Sequence, residues 1–394
     1  MMTITTIHYK NYHFYPTKGC AFTMTCIQNN HTHIKSAIIV GASLSGLMTG
    51  IALAREGLQV TILEKAGEEQ RTGSGLQVDA GTLKMSKTAR LLRKLASGGK
   101  KSVQLWSSIE SRLRREALTD PRVTIRYNTT VQAVDQDETT AWVETDQNET
   151  IYGDILIGAD GHRSIVRHHI APHKPYATYA GYIVWIIDTV DAQDLPADVR
   201  SQPMDSGVQM FNGPHGFLFG NILDNEVGTL GSNNRRIGCA WYDNTKSNLL
   251  RRLGCVQGTT VHHSLKGPDI PDKILQKLES EARQLWPEPW LSATLIALKN
   301  RRLTGIPIKE YIPDNLVKGR IAIVGDAAHV PAPITASGFN ESLEDAVALG
   351  KCVSKSSQEN AALKALNKYE SMRLNKVRRM VQSGQSFSRS FGRP

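Results

Sequence analysis

Three short stretches of this chain gather residues suited to holding a phosphate-bearing ligand. The first is Gly41-Ala42-Ser43-Leu44-Ser45-Gly46, with Glu64 23 residues beyond Gly41. Gly41 permits a tight turn, Gly46 lets a helix pack closely on a strand, and the N–H groups at the helix start suit a pyrophosphate. Glu64 is then the expected acceptor for ribose hydroxyls. Ser43 stands where a second glycine is usual, and its hydroxyl can itself donate to a phosphate. The second stretch runs from Gly158 to Arg167 through Ala159-Asp160-Gly161, with Ser164 as a helix cap. The third is Gly325-Asp326-Ala327-Ala328-His329-Val330-Pro331, followed by Ser337-Gly338-Phe339-Asn340. A helix opening near Gly338 points its positive end toward whatever lies before it, although Glu341, Glu344 and Asp345 compete for that dipole. A local turn explains each stretch separately and does not explain the three together.

The elements that must position these residues follow from apolar periodicity. Ala37 to Val40 is a short apolar run, Leu44, Leu47, Met48, Ile51 and Ala54 form a helical stripe, and Val60 to Leu63 is a second apolar run. This is a βαβ unit, which requires a parallel sheet. A helix is expected over Ser107 to Leu118, and strands over Val123 to Ile125, Trp142 to Glu144 and Asp154 to Ile157. From about residue 171 the pattern changes to alternating strands punctuated by aromatics: Tyr182 to Ile187, Gln209 to Phe211, Phe217 to Phe219 and Ile237 to Trp241. Asp191 to Gly207, with two prolines, reads as an exposed loop. Ile321 to Val324 restores the parallel-strand character, and a long basic amphipathic helix through Leu363, Leu366, Tyr369, Val377 and Met380 closes the chain. The fold class expected is α/β: a Rossmann-like lobe with a parallel sheet from residues 36–170 and 301–394, and a strand-rich α+β substrate lobe from 171–300. Residues 1–35 read as a disordered extension, with Met24 a second possible start.

Composition narrows the class. With 40% hydrophobic and 21% charged residues the 394-residue chain is of ordinary globular type, long enough for two lobes. The formal charge of +10 is dispersed and carries no nucleic-acid signature, so no nucleic-acid partner is expected; a basic surface equally suits anionic small molecules. No run reaches the roughly 18 apolar residues of a membrane span, so no membrane insertion is expected. Cys20, Cys26, Cys239, Cys255 and Cys352 lack CxxC spacing, which argues against disulfides and zinc and for a reducing cytoplasm. His31 with His33, His168 with His169 and His262 with His263 lack metal spacing, and no metal is expected.

With these motifs in this order, the chain resembles the flavin monooxygenases of the 4-hydroxybenzoate hydroxylase fold over roughly residues 36 to 385. Thr178 to Trp185, Trp241-Tyr242 and Leu105 to Ile109 are similar to the subgroup of 2,6-dihydroxypyridine 3-hydroxylase. The resemblance implies FAD as cofactor, with Gly41, Ser43, Ser45, Gly46 and Glu64 at its ADP half. It implies Asp160 and Arg167 near FAD and a passing nicotinamide, Asp326 on the ribityl chain, and Gly338, Phe339 and Asn340 against the isoalloxazine. It further implies that NADH or NADPH and dioxygen hydroxylate a small aromatic or heteroaromatic ring through a C4a-hydroperoxyflavin, in a monomer or homodimer. Two departures stand out: Ile186 replaces an arginine that often follows the Trp185 position, and the stretch between Leu95 and Trp106 is short.

The chain's own acid–base candidates are His329, His215 and Tyr182, each more simply read as a packing or surface residue. Trp185, Phe217, Phe219 and Trp241 are candidate pocket aromatics, or core. Alternatives are an FAD-dependent oxidoreductase that does not hydroxylate and a flavin-binding sensor module without turnover. The WxWxIP pattern of halogenases is absent, because Ile186 and Ile187 follow Trp185.

Overall fold

The structure, a computed structural model, describes residues 33–69, 75–78, 85–99, 103–204, 207–224, 235–354 and 360–392. Residues 1–32, with Cys20, Cys26, His31 and Met24, lie outside them. β1 (Ser36–Val40), α1 (Leu44–Arg55) and β2 (Gln59–Leu63) form the expected crossover unit, with β1 and β2 parallel. β3 (Gly75–Leu76), α2 (Lys87–Ser97), β4 (Gln104–Leu105), α3 (Trp106–Thr119) and β5 (Val123–Arg126) follow. Next come an antiparallel trio, β6 (Val131–Gln136), β7 (Ala141–Thr145) and β8 (Thr150–Gly153), then the fully buried β9 (Ile155–Gly158) and the short α4 (Ile165–Ile170).

The second lobe opens with the long β10 (Thr178–Asp191) and a helical turn, α5 (Ala197–Arg200). β11 (Gly207–Gly213), β12 (Gly216–Asp224), β13 (Arg235–Asp243) and α6 (Ser247–Arg252) follow, with the short β14 (Val256–Gln257), β15 (Thr260–Val261) and β16 (Leu265–Lys266). Two helices, α7 (Asp272–Leu285) and α8 (Trp290–Lys299), and β17 (Leu303–Glu310) complete it. The chain returns through β18 (Val317–Lys318), β19 (Ile321–Ile323), α9 (Gly338–Ser354) and α10 (Ala361–Phe391).

Two sheets organise the molecule: a six-stranded one in the order β18-β19-β9-β1-β2-β5, and an eight-stranded antiparallel one built on β11-β12-β13-β10 with β17 beside β10. The expected lobe boundary at residue 300 falls one strand early, because β17 pairs along the whole inner length of β10. The segment Asp191 to Gly207 is not simply an exposed loop. It forms two short helical turns that bury Leu195 and Val199, apolar residues whose spacing is too short to announce a helix. α7 and α8 were likewise hidden behind the aromatic strand pattern, since Trp286, Pro287 and Pro289 interrupt their stripe. Both helices lie on one face of the eight-stranded sheet and bury it in a core containing Trp185, Trp241, Trp286 and Trp290.

The central parallel strands β1, β9 and β19 are apolar on both faces, as a helix-covered parallel sheet requires. β19, β9 and β1 are adjacent and run the same way, so the loops that leave them emerge at one carboxyl edge. Those loops are the three stretches singled out above.

Candidate functional site

At that edge the backbone is tight where glycine occurs. Gly41 has φ +101°, and a Cβ there would lie 2.5 Å from the Ala159 carbonyl oxygen. At Gly46 an added Cβ would meet the Gly41 oxygen at 1.9 Å, and at Gly325 (φ +57°) it would meet the Ser45 Cβ at 2.6 Å. The first stretch therefore touches both others, in a way only glycine permits. Ser43 caps α1 without a side-chain hydrogen bond, and the first turn of that helix holds no acid. Its N–H groups remain suited to an anion.

Glu64 is buried, and its two carboxylate oxygens accept the N–H groups of Ala42 and Ala66, both at 2.9 Å. It braces the glycine loop. Asp160 accepts the Ile165 N–H at 2.7 Å through Oδ2, while its buried Oδ1 has no partner. Asp326 keeps open surface. Burial nonetheless pushes both carboxyls above the usual range, against the pull of Ser164 and local N–H groups on Asp160 and of His329, Lys309 and Arg167 on Asp326. A carboxyl that is crowded by protein yet still meets open space lines a concave cleft.

Arg167 departs from expectation. It has no exposed surface, and its guanidinium donates to the carbonyls of Pro175 (2.8 Å), Asp326 (3.2 Å), Ala327 (3.1 Å) and His162. It also stacks over Tyr311, 4.4 Å from the ring centroid. Arg167 clamps the second stretch to the third and presents nothing to a passing nicotinamide.

His329 is also fully buried, behind the Gly325 turn, with Nε2 2.8 Å from Asp345 Oδ2. The same carboxylate accepts the Gly325 N–H at 3.0 Å and Arg373 Nε at 2.7 Å, and Arg373 also pairs with Glu341. Burial pushes Asp345 up, but His329, Arg373 and the Gly325 N–H outweigh it and hold the carboxyl below its ordinary value. Glu344 pairs with Arg93 at 2.7 Å. The three acids near the start of α9 are thus paired with two arginines, which reduces the expected competition with an anion at that helix start. Asp345 and Arg373 were missed as a pair because 28 residues separate them.

At the start of α9, Gly338 is half-buried, Phe339 sends its ring into the core, and Asn340 donates to the Gln77 carbonyl at 3.3 Å. This segment therefore offers backbone N–H groups rather than an aromatic surface.

The remaining candidates divide by side-chain alternation. Residues directly opposite across antiparallel strands share a face. Phe217 stands opposite Asn212 and Tyr242, Phe219 opposite Met210 and Ala240, and Asn221 opposite Val208 and Gly238. Val184 faces Tyr242 and Ile306, and Ile186 faces Ala240 and Thr304. These residues, with Tyr182, form the face remote from α7 and α8, whereas Trp185 and Trp241 point into the helix-covered core and line no pocket here. Ile334, in the loop leading into α9, packs on the same face and ties it to the motif-bearing edge. The end of α10 closes part of it: Phe391 lies 5.1 Å from the Tyr182 ring and 5.4 Å from Phe217, and Phe387 stacks on Phe391 at 5.1 Å. Sequence reading missed these two rings, whose only signal was an apolar i, i+4 pair at the end of a basic helix. Tyr182 is fully buried, its hydroxyl 3.5 Å from Ser388 Oγ, and burial pushes its pKa up to about 12. Tyr182 therefore keeps its proton near neutral pH. His215 sits exposed in the turn between β11 and β12.

A family model described as FAD binding domain matches residues 35–107 and 105–384. The chain belongs to this FAD-binding domain family. It is 28% identical to 3-hydroxybenzoate 6-hydroxylase of Klebsiella oxytoca, over 91% of this chain and 89% of that protein. It is 23% identical to 2,6-dihydroxypyridine 3-monooxygenase of Paenarthrobacter nicotinovorans, over 89% and 92%. The structure of 2,6-dihydroxypyridine-3-hydroxylase from Arthrobacter nicotinovorans superposes with a TM-score of 0.72 at 19% identity, covering 91% of this chain and 93% of that one. A Klebsiella pneumoniae protein solved with FAD and uric acid gives 0.64 at 20% identity, covering 91% and 89%. The expected two-lobed fold and FAD as cofactor stand. The residues fit that cofactor: a glycine cradle, an uncapped helix start and the unpartnered buried Asp160 Oδ1 converge at one edge. No helix among the described residues is long and apolar enough to cross a membrane, and none of their His, Cys, Asp and Glu side chains group to hold a metal ion.

Proposed function

We propose that this FAD-dependent monooxygenase hydroxylates a small neutral aromatic or heteroaromatic ring, one bearing a hydroxyl or ring N–H and no carboxylate. The carrying observation is the aromatic face of the eight-stranded sheet. From the row of Phe217 and Tyr242 to that of Phe219 and Ala240, its described side chains are apolar or uncharged, and Ile186 stands at the position where an arginine often occurs. A carboxylate buried there would lose its water without meeting a counter-charge. Charged residues enter only further along, at Asp188, whose N–H donates to the Arg302 carbonyl, and at Arg236, opposite Asp191.

Bound FAD supplies the redox chemistry, accepting reducing equivalents from NADH or NADPH and delivering them to dioxygen. The chain's residues hold it. The Gly41 turn and the start of α1 receive the diphosphate, Glu64 the adenosine ribose, Asp160 and Asp326 the hydroxyls between, and the N–H groups at Gly338 to Asn340 the negative edge of the ring system. The aromatic face orients the substrate ring and excludes water. Tyr182 and Tyr242, both raised by burial, keep their protons at neutral pH, so neither takes a proton from the substrate.

The test is NAD(P)H oxidation by FAD-loaded protein with hydroxypyridines, phenols and 3-hydroxybenzoate, with mass spectrometry of the products. Neutral hydroxylated rings should stimulate oxidation and gain one oxygen atom. Stimulation without an oxygenated product would make the chain a flavin oxidoreductase of another kind, and preference for the carboxylated ring would sink the neutral-ring reading.

A further inference from the structure

Two surfaces away from the site are opposite in charge: the outward side of α10 and the outer face of the antiparallel trio β6, β7 and β8. On α10, Lys368, Lys376 and Arg379 are exposed, and at 100° per residue they lie within about 80° of one another around the helix axis. None is in an ion pair among the described residues, and Arg379 bonds only the Asn375 carbonyl. Glu370, the one acid of this helix, is turned inward and accepts the N–H groups of Leu316 and Val317 at 2.7 and 3.2 Å. The trio reverses this composition. From Asn128 to Gly161 the chain has no lysine, arginine or histidine. Asp135, Asp137, Glu138, Glu144 and Asp146 are exposed and in no ion pair among the described residues, while Glu149 pairs with Arg126. Register sets Asp135, Trp142 and Tyr152 side by side, with Glu144 two residues from Trp142 on the same face. The alternate residues Val134, Ala141 and Val143 are buried, so this face is the outer one. Tyr152 is 62% exposed, and its ring lies 5.9 Å from that of the half-buried Trp142. An exposed aromatic pair flanked by carboxylates suits a partner that brings cationic heads on long apolar stems.

From this charge complementarity we infer that the two faces meet between copies of this chain. The stripe of Lys368, Lys376 and Arg379 of one copy docks on the face of Asp135, Trp142 and Tyr152 of a second copy, and reciprocally, to form a homodimer. Each copy carries both halves of the contact, so a two-fold pair uses it twice and leaves neither patch open. An anionic membrane fits the stripe less well. Leu366, Tyr369 and Val377, the apolar side of α10, are buried in the cofactor lobe, which leaves no apolar side to enter a bilayer. A contact carried by exposed charges around two rings is sensitive to salt.

The experiment measures the molar mass of the FAD-loaded full chain by sedimentation equilibrium, at about 100 μM protein in about 0.05 M and about 0.5 M sodium chloride. Wild-type protein should be a dimer in low salt and a monomer in high salt. Lys376→Glu with Arg379→Glu should give a monomer in low salt, and so should Asp135→Lys with Glu144→Lys. An equimolar mixture of these two variants should recover a dimer of one copy of each, because both contacts of that pair are again between opposite charges. Tyr152→Ala should weaken the wild-type dimer about 10-fold. Bound FAD in each variant shows that the fold is intact. A monomer under every condition, a dimer that neither charge reversal weakens, or no recovery on mixing overturns the assignment. A wild-type monomer that sediments with phosphatidylserine vesicles, and no longer does so after Lys376→Glu with Arg379→Glu, would give the stripe to a membrane instead.

Discussion

The two faces of the eight-stranded sheet are made by the same strands and do different work. On one, α7 and α8 seal Trp185, Trp241, Trp286 and Trp290 into a filled core; Trp185 Nε1 donates to Asp243 at 3.2 Å, and Asp243 pairs with Lys246 at 2.7 Å. On the other, smaller aromatics stack against the end of α10, an amide oxygen is unpaired, and Val208 and Met210 remain half-exposed at the edge strand. A close-packed face holds the lobe together, and an incompletely packed one leaves room for a ligand. Adjacent residues of one strand thus belong to different problems: Trp185 to the sealed core, Val184 and Ile186 to the face proposed for recognition.

The sharpest way to break this contrast is Trp185→Ala. Removing a fully buried indole and one of the donors to Asp243 should cost about 3–5 kcal/mol, seen as a lower denaturation midpoint. FAD content of the folded fraction should stay unchanged. Were stability to hold while ring binding disappeared, the two faces would have been assigned the wrong way round. Next in size is Phe391→Ala. Its ring is only partly buried, so the expected cost is about 1–2 kcal/mol. The space opened beside Tyr182 and Phe217 should admit bulkier rings, measured as a shift in relative kcat/KM from one-ring toward two-ring substrates. Ile186→Arg should cost little stability at a half-buried position and should move binding from hydroxypyridine toward 3-hydroxybenzoate. An unchanged ratio would show that residue 186 does not face the ligand.

What could be read from the sequence follows the same physical division. The motif-bearing edge was legible because glycine at Gly41, Gly46 and Gly325 is imposed by backbone approach, a local constraint that leaves a mark in the residue itself. The parallel strands were legible because both faces are buried, giving continuous apolar runs at β1, β9 and β19. The roles of His329 and Arg167 were not, since each depends on partners brought in by the fold: Asp345 for His329, and the carbonyls of Asp326 and Ala327 for Arg167. Nor could the four aromatics of the second lobe be sorted from composition. Strand alternation separates Trp185 from Val184 and Ile186, but only pairing register shows that Phe217 and Tyr242 share a side. The cover that α10 places on that side comes from more than 140 residues away in sequence.

The smallest expected effect tests whether the recognition face does any acid–base work of its own. Tyr182 is the titratable hydroxyl closest to the α10 cover, its ordinary pKa near 10 raised to about 12 by burial. Burial favours the neutral phenol, so its stabilising contribution is complete below pH 10 and is lost as pH rises from 10 to 12. Tyr182→Phe keeps the ring, gives up one long contact to Ser388, and should change stability at pH 7 by less than about 1 kcal/mol. Between pH 10 and 12 the wild-type denaturation midpoint should fall more steeply than that of the variant. Across pH 6 to 9 the kcat/KM profiles of the two proteins should coincide. A limb of the profile that vanishes with the hydroxyl would instead make Tyr182 the group that handles the substrate proton, and the recognition face would then be a reactive one.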